Sequence, residues 1–484
     1  MSDVLRALNE FSLGYFIVLD AIYLVMAVIG WRAVETYVRI RPARDYDRVR
    51  RSPLSPALTI LVPAYNEELA IVVSVRALLA NRYPALQVLV INDGSSDRTL
   101  EALRGAFDLR PVLRTPSASL PTQRVRGIYA SPLEPRLTVI DKENGGKADS
   151  LNAGLRYART PLFCSIDADT MLDQDALSRI VWEFETRPDT IAAGGIVRVV
   201  NGSQVKDGRV TEVRTPKDWL PTLQILEYLR AFLGGRIAWS RLGMLLIISG
   251  AFGLFRRDVV VEAGGYDTAT IGEDAELVMR LHRHQRDRGA SSRIIFFPDP
   301  ICWTEAPSSL RILARQRDRW QRGLLEMLWK HRSMLGRRRY GAVGMLGFPY
   351  FAVFEAFGPL IEVGGYLICA IALITGAISW AFALLFLILA LGFGFVISFM
   401  TLLMEERAFR RYPSWPSLGR LLAASIVENF GYRQLLALIR ARAWWTQLRG
   451  SSGWGEMTRS GLGGALPVEA PAELPPELPD LGQL

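Results

Sequence analysis

Two stretches of this chain stay apolar for longer than a soluble core helix requires. Phe11–Trp31 runs for about 21 residues, enough to cross a hydrocarbon layer of about 30 Å as a helix. Only Asp20 interrupts it with a charge. The run is too long for a signal-peptide core, and no small-residue cleavage site follows it. The second stretch, 341–404, has room for two spans, near 345–374 and 379–403. Arg32, Arg39, Arg41, Arg44, Arg48, Arg50 and Arg51 follow the first run, and only Arg6 precedes it. Arg337, Arg338 and Arg339 precede the second stretch, and Arg407, Arg410 and Arg411 follow it. Basic flanks stay cytoplasmic, so residue 32 onward is expected in the cytoplasm and the later pair forms a hairpin. The chain thus reads as a multi-pass protein of the inner or plasma membrane. Glu355 and Glu362 fall inside the hairpin, where a carboxylate must face other helices, water or a conduit. A third apolar stretch, Leu418–Ile439, carries Arg420, Glu428 and Arg433, and reads as interfacial or re-entrant.

This layout accounts for the charge. The net +9 comes from 57 basic and 48 acidic residues, and much of the excess borders the apolar runs. Membrane lipid explains it, and no nucleic-acid partner is needed. Cys164, Cys302 and Cys369 lack the spacing of a disulfide framework or zinc site. His282 and His284 form either a metal pair or part of a solvated helix end. The segment 461–484, rich in Pro, Gly and Glu, is expected to be disordered.

Between about 55 and 305 the pattern changes to alternating strands and helices. Leu58–Val62, Gln87–Ile91, Leu137–Ile140 and Phe163–Ile166 are short apolar strands. Helical patterns follow at Glu67–Ala80, Ser95–Arg104 and Ala148–Tyr157. This order predicts an α/β unit, a mostly parallel sheet with helices on both faces. Ligands of such sheets bind beyond the carboxyl ends of the strands. Asn66 and Glu67, Asp93, and Asp167 with Asp169 all stand at those ends.

The residue types there carry chemistry. Asp167-Ala168-Asp169 offers two carboxylates at a strand end, suited to a hard cation and a ribose or water. Asn144-Gly145-Gly146-Lys147 opens a helix and is either a phosphate cradle or a plain turn. Gly272-Glu273-Asp274 starts another helix, as an acidic cap or as the source of a general base. Gln316, Arg319 and Trp320 share one face of an amphipathic helix over 310–329. That face suits a diphosphate and a sugar ring, or simply a basic membrane surface.

Together, Val62-Pro63-Ala64-Tyr65-Asn66-Glu67-Glu68, Asn92-Asp93-Gly94-Ser95-Ser96-Asp97, Gly145-Gly146-Lys147, Asp167-Ala168-Asp169, Gly272-Glu273-Asp274 and Gln316-x-x-Arg319-Trp320 resemble glycosyltransferase family 2. The likeness is closer to its membrane-integrated hyaluronan, chitin, cellulose and poly-N-acetylglucosamine synthases, and covers about 55–330. The resemblance implies a GT-A-like fold and inverting transfer from a UDP-sugar, with UDP-N-acetylglucosamine favoured, assisted by Mg2+ or Mn2+. It places Ala64, Asn66, Glu67, Asp93, Lys147, Asp167 and Arg319 around the donor nucleotide. Asp169, with Asp167, would hold the metal, and Asp274 would be the base. Trp320, Gln316, Ser249 and Gly250 would meet the acceptor, with Trp454 and Arg459 in a gating loop.

The acceptor is expected to be a growing β-linked polysaccharide or, alternatively, a lipid-linked molecule receiving one sugar. Export would call for a self-oligomer or an accessory subunit. The expected divisions are a membrane helix at 1–32, a catalytic domain at 33–305 and an amphipathic helix at 306–340. Two membrane helices follow at 341–404, then an interfacial helix with the gating loop at 405–460, and the tail.

Overall fold

The computed structural model describes residues 2–449, apart from positions 207 and 413. Trp454, Arg459 and the 461–484 segment lie outside the described residues. The strands are β1 (Leu58–Ala64), β2 (Leu86–Asp93), β3 (Arg110–Pro111), β4 (Val125–Ala130), β5 (Leu137–Lys142) and β6 (Leu162–Ile166). They continue with β7 (Met171–Leu172), β8 (Thr190–Val199), β9 (Gln204–Lys206), β10 (Arg209–Glu212), β11 (Phe252–Arg256) and β12 (Arg293–Thr304). Among the described residues, β9 and β10 pair with each other, and the rest form one sheet ordered β3-β4-β5-β2-β1-β6-β11-β8-β12-β7.

The sheet is mixed and flanked by helices. β5, β2, β1 and β6 run parallel at its centre, and β8 runs parallel to β12. β11 is inserted antiparallel between β6 and β8. Every residue of β8 is buried, as expected of an interior strand covered on both faces. The direction of β11 decides where the site forms. Phe252, its first residue, pairs with Ile166, the last of β6. The loop before β11 therefore meets the ends of the parallel strands.

Two helices start later than their apolar pattern indicates, at Ile71 and Thr99. The residues ahead of them clasp each other instead. Asn66, in the left-handed region at φ 56°, accepts the Ser96 amide at 2.8 Å, and the Glu67 amide donates to Thr99 Oγ1 at 2.8 Å. Asn tolerates that backbone better than other non-glycine residues.

By length and apolarity, among the described residues one helix can cross a membrane, Asp3–Ala43. Val343–Ala356 and Gly358–Ile374 pass together as a pair bent by 43°. The 415–448 region is two helices, Trp415–Val427 and Arg433–Leu448, broken at Phe430 and Gly431, whose φ is 98°. The C-terminal end of the first helix is bolted to the sheet: the Tyr37 hydroxyl donates to Asp299 Oδ2 at 2.8 Å. Gly30 lies so close to the backbone that a Cβ there would meet the Leu233 carbonyl oxygen at 2.5 Å.

Candidate active site

A cleft of about 510 Å³ opens at the carboxyl edge of the sheet. The topology fills it from six segments. Asp167 and Asp169 follow β6, Lys147 begins the helix after β5, and Ser249-Gly250-Ala251 precede β11. Glu305–Ser309 follow β12, and Asp274 enters from the start of helix Glu273–Asp287. Gln316, Arg319 and Trp320 arrive on helix Leu310–Lys330, whose start is capped by Ser309.

Lys147 organises the polar end. Its Nζ lies 2.6 Å from Asp167 Oδ1 and 3.4 Å from Glu273 Oε1, and donates to the Gly250 carbonyl at 3.3 Å. Burial pulls its pKa down, but the Asp167 and Glu273 carboxylates outweigh this and hold it well above the ordinary amine range. It is a fixed cation among these carboxylates. Glu273 is buried, which pushes its carboxyl up while Lys147 draws it down. Gly250 leaves little space for a side chain: a Cβ there would sit 3.0 Å from Lys147 Nζ and 3.2 Å from Asp274 Oδ2. Asp274 is thereby placed beside the lysine. Its Oδ1 accepts the Ala275 amide at 2.8 Å.

The aromatic end is built by Trp320, 47% exposed. The Arg317 guanidinium lies 4.1 Å from its ring centroid, covering one face. Arg317 is itself fixed by Glu227 at 2.9 Å, and Glu227 also accepts from the Tyr432 hydroxyl at 2.9 Å. Arg317 was not among the expected site residues, although it stands three positions before Trp320 on the same helix face. One turn further, Arg440 donates to Gln321 Oε1 at 2.8 Å and pairs with Glu355 at 3.0 Å. Glu355, expected to need a polar partner, thus has one, and the cleft helix is tied to the bent membrane-candidate pair.

Other expected residues lie apart from this lining. Ala64, Asn66 and Glu67 stand at the neighbouring end of β1. The Asp93 carboxylate accepts the amides of Gly145 at 3.0 Å and Gly146 at 2.8 Å and pairs with Lys142. The buried Lys142 also reaches Asp149 at 2.7 Å. The glycine amides that would cradle a phosphate are therefore engaged by Asp93. His282 is not at a solvated helix end. It is buried, donates to the Leu245 carbonyl at 2.8 Å, and burial pushes its pKa down to about 4. Among the described residues no group of three or more His, Cys, Asp or Glu side chains forms a metal site. The three cysteines are buried and unpaired.

Carboxylates, a lysine held among them and an aromatic side chain thus line one cleft at the carboxyl edge of the sheet. The family model described as "Glycosyltransferase like family 2" matches residues 56–323, and the chain belongs to that family, as an inverting-type glycosyltransferase. It is 32% identical over 274 residues to a poly-beta-1,6-N-acetyl-D-glucosamine synthase of Staphylococcus aureus, covering 56% of this chain and 55% of that one. The same-named protein of Staphylococcus epidermidis is 28% identical over 272 residues, with the same coverage. The chain spans about half the length of these curated relatives. Among solved structures, a mannosyltransferase from Pyrobaculum calidifontis in complex with GDP-Man and Mn2+ is similar at 20% identity and a TM-score of 0.48. That likeness covers 86% of this chain and 99% of the other.

Proposed function

We propose that this chain moves N-acetylglucosamine from UDP-N-acetylglucosamine onto a growing β-linked polysaccharide, at the cytoplasmic face of the cell membrane. The observation that carries this reading is the convergence of Lys147, Asp167, Asp169, Asp274, Arg319 and Trp320 on one cleft. The donor sugar follows from the likeness to the staphylococcal synthases. On this reading 33–305 is the catalytic domain, and the Ala64, Asn66, Glu67 and Asp93 neighbourhood borders the uridine.

The residues have separable tasks. Lys147 and Arg319 neutralise the charge that gathers on the departing diphosphate. Asp274 takes the proton of the attacking hydroxyl, a contribution of about 10²–10⁴-fold. Trp320, with one face covered by Arg317, offers the other to the acceptor ring. Attack opposite the leaving group inverts the anomeric carbon.

A divalent metal fits the donor set. Mg2+ or Mn2+ in nucleotide sites takes one or two protein carboxylates plus phosphate oxygens, so a larger protein cluster is not required. Asp169, with Asp167, would hold the ion. Such an ion supplies Lewis-acid stabilisation of the diphosphate.

The alternative, one sugar added to a lipid-linked acceptor, draws on the short list of candidate spans among the described residues. With so few, export by a polymerase would use a self-oligomer or an accessory subunit. Full-length protein in detergent, offered a panel of UDP-sugars, separates the readings by product mass. A ladder from UDP-N-acetylglucosamine supports the polymerase, and a single added mass supports the alternative. Absence of transfer from every donor sinks both.

A further inference from the structure

Arg236 stands in the cleft wall with Phe232, Ile247 and Asp274, and neither the family motifs nor the reading above gives it a task. Its guanidinium lies 4.7 Å from the Phe232 ring centroid and 5.8 Å from that of Phe296. Its Nη1 is buried and has no hydrogen-bond partner among the described residues. Burial pushes its pKa down to about 10, with the Asp274 carboxylate pulling the other way. Arg317, by contrast, is matched to Glu227.

Burying a guanidinium against aromatic rings is costly, and leaving one of its donors unfilled adds to that cost. A buried polar group without a protein partner calls for an explanation, and in a binding cleft the explanation is a ligand atom. On the proposed function the diphosphate is held by Lys147 and Arg319. Arg236 faces the part of the wall that carries the proton-accepting carboxylate and the aromatic side chains. The Asp274 carboxylate already offsets the Arg236 charge, so the unfilled Nη1 donor calls for a neutral acceptor. A sugar oxygen is such an acceptor, and the carbon face of the same sugar would rest on Phe232.

We infer that Arg236 binds the acceptor sugar, donating from Nη1 to an oxygen next to the hydroxyl that Asp274 deprotonates. The inference rests on the proposed function for the identity of the sugar and on the cleft geometry for the residue. Arg236 thereby fixes which acceptor hydroxyl is presented to Asp274, and so contributes to the choice of linkage.

The test uses full-length protein in detergent, UDP-N-acetylglucosamine as donor and a β-1,6-linked N-acetylglucosamine oligomer as acceptor. Arg236→Met should raise the acceptor KM by about 10- to 100-fold, the size expected when a buried polar contact to substrate is lost. The donor KM should stay within about twofold of wild type. Arg236→Lys, which keeps a charge and a donor, should recover part of the acceptor affinity and carries the comparison if the methionine variant does not fold. An acceptor KM unchanged in both variants, or a donor KM rising in parallel, overturns the inference while leaving the proposed function standing. A wild-type chain that transfers to no acceptor removes both.

Discussion

Gly272 and Gly323 touch backbone to backbone: a Cβ added to either would lie 3.0–3.1 Å from the other's Cα. This contact presses the Gly272-Glu273-Asp274 loop onto the helix that carries Gln316, Arg319 and Trp320. Asp274, the proposed base, and Trp320, the proposed acceptor shelf, are set at one spacing by two missing side chains. Nearby ties hold the contact shut: the Ile271 amide donates to Glu326 at 2.9 Å, and Lys330 reaches Glu276 at 3.0 Å.

Gly323→Ala should therefore separate the base from the shelf with little effect on the nucleotide end. A displacement near 1 Å at a reacting centre costs about 10²-fold in rate. We expect kcat to fall by about 10- to 100-fold with the donor KM preserved. Full kcat in a folded Gly323→Ala protein would show that the spacing is not critical.

Arg317 should matter through Trp320. Lysine at 317 keeps the charge opposite Glu227 but lacks the planar group that lies against the indole. A lost cation–π contact of about 0.5–1 kcal/mol predicts a roughly two- to fivefold weaker acceptor affinity. Arg317→Met breaks a buried pair and should destabilise the protein by about 3–5 kcal/mol, visible as a lower melting temperature. Equal melting curves for wild type and Arg317→Met would contradict the pairing with Glu227.

The carboxylates of the cleft were legible because strand ends are legible. An apolar run that stops at Asp167 announces both the strand and the edge where ligands gather. Trp320 and Arg319 were legible as one helix face. The direction of β11 was not, because apolar periodicity does not encode whether a strand runs parallel or antiparallel, and so the sheet is more mixed than the pattern implied. Asp93 shows another limit. Its contacts with Lys142 and two glycine amides join elements about fifty positions apart, which local spacing does not show. Arg236 and the Gly272–Gly323 contact exist only through tertiary proximity, and no local pattern marks them. The break at Phe430 and Gly431 interrupts an apolar stretch that reads as continuous.

His282 gives a pH prediction. Its folded-state pKa of about 4 lies below the ordinary imidazole value of about 6.5. Between those values the unfolded chain binds more protons, so stability falls as pH drops through that window and is fully retained above it. The effect amounts to about 3 kcal/mol at most. Melting temperature measured from neutral pH down to about pH 4 should fall, and His282→Gln, which keeps a donor for the Leu245 carbonyl but does not titrate, should flatten the decline. Identical slopes in the two proteins would assign the acid sensitivity elsewhere.

Asp274 and the metal can be tested together because they would act on opposite sides of the anomeric carbon, one on the incoming hydroxyl and the other on the departing diphosphate. Asp274→Asn keeps the size of the side chain and an oxygen for the Ala275 amide, but it cannot accept the acceptor's proton. Transfer should fall by about 10²–10⁴-fold while UDP-N-acetylglucosamine still binds, measured by calorimetry on the full chain. A chelator should abolish wild-type transfer, and added Mn2+ or Mg2+ should restore it. Asp169→Asn should lose that restoration at metal concentrations that suffice for wild type, because it weakens the carboxylate ligation at the end of β6. If Asp274→Asn turned over near the wild-type rate, the base would have to be sought among the other cleft carboxylates, with Glu273 excluded only if Glu273→Gln were equally active. If chelated protein kept its rate, Lys147 and Arg319 would have to stabilise the diphosphate alone, and Lys147→Met should then be the more damaging change.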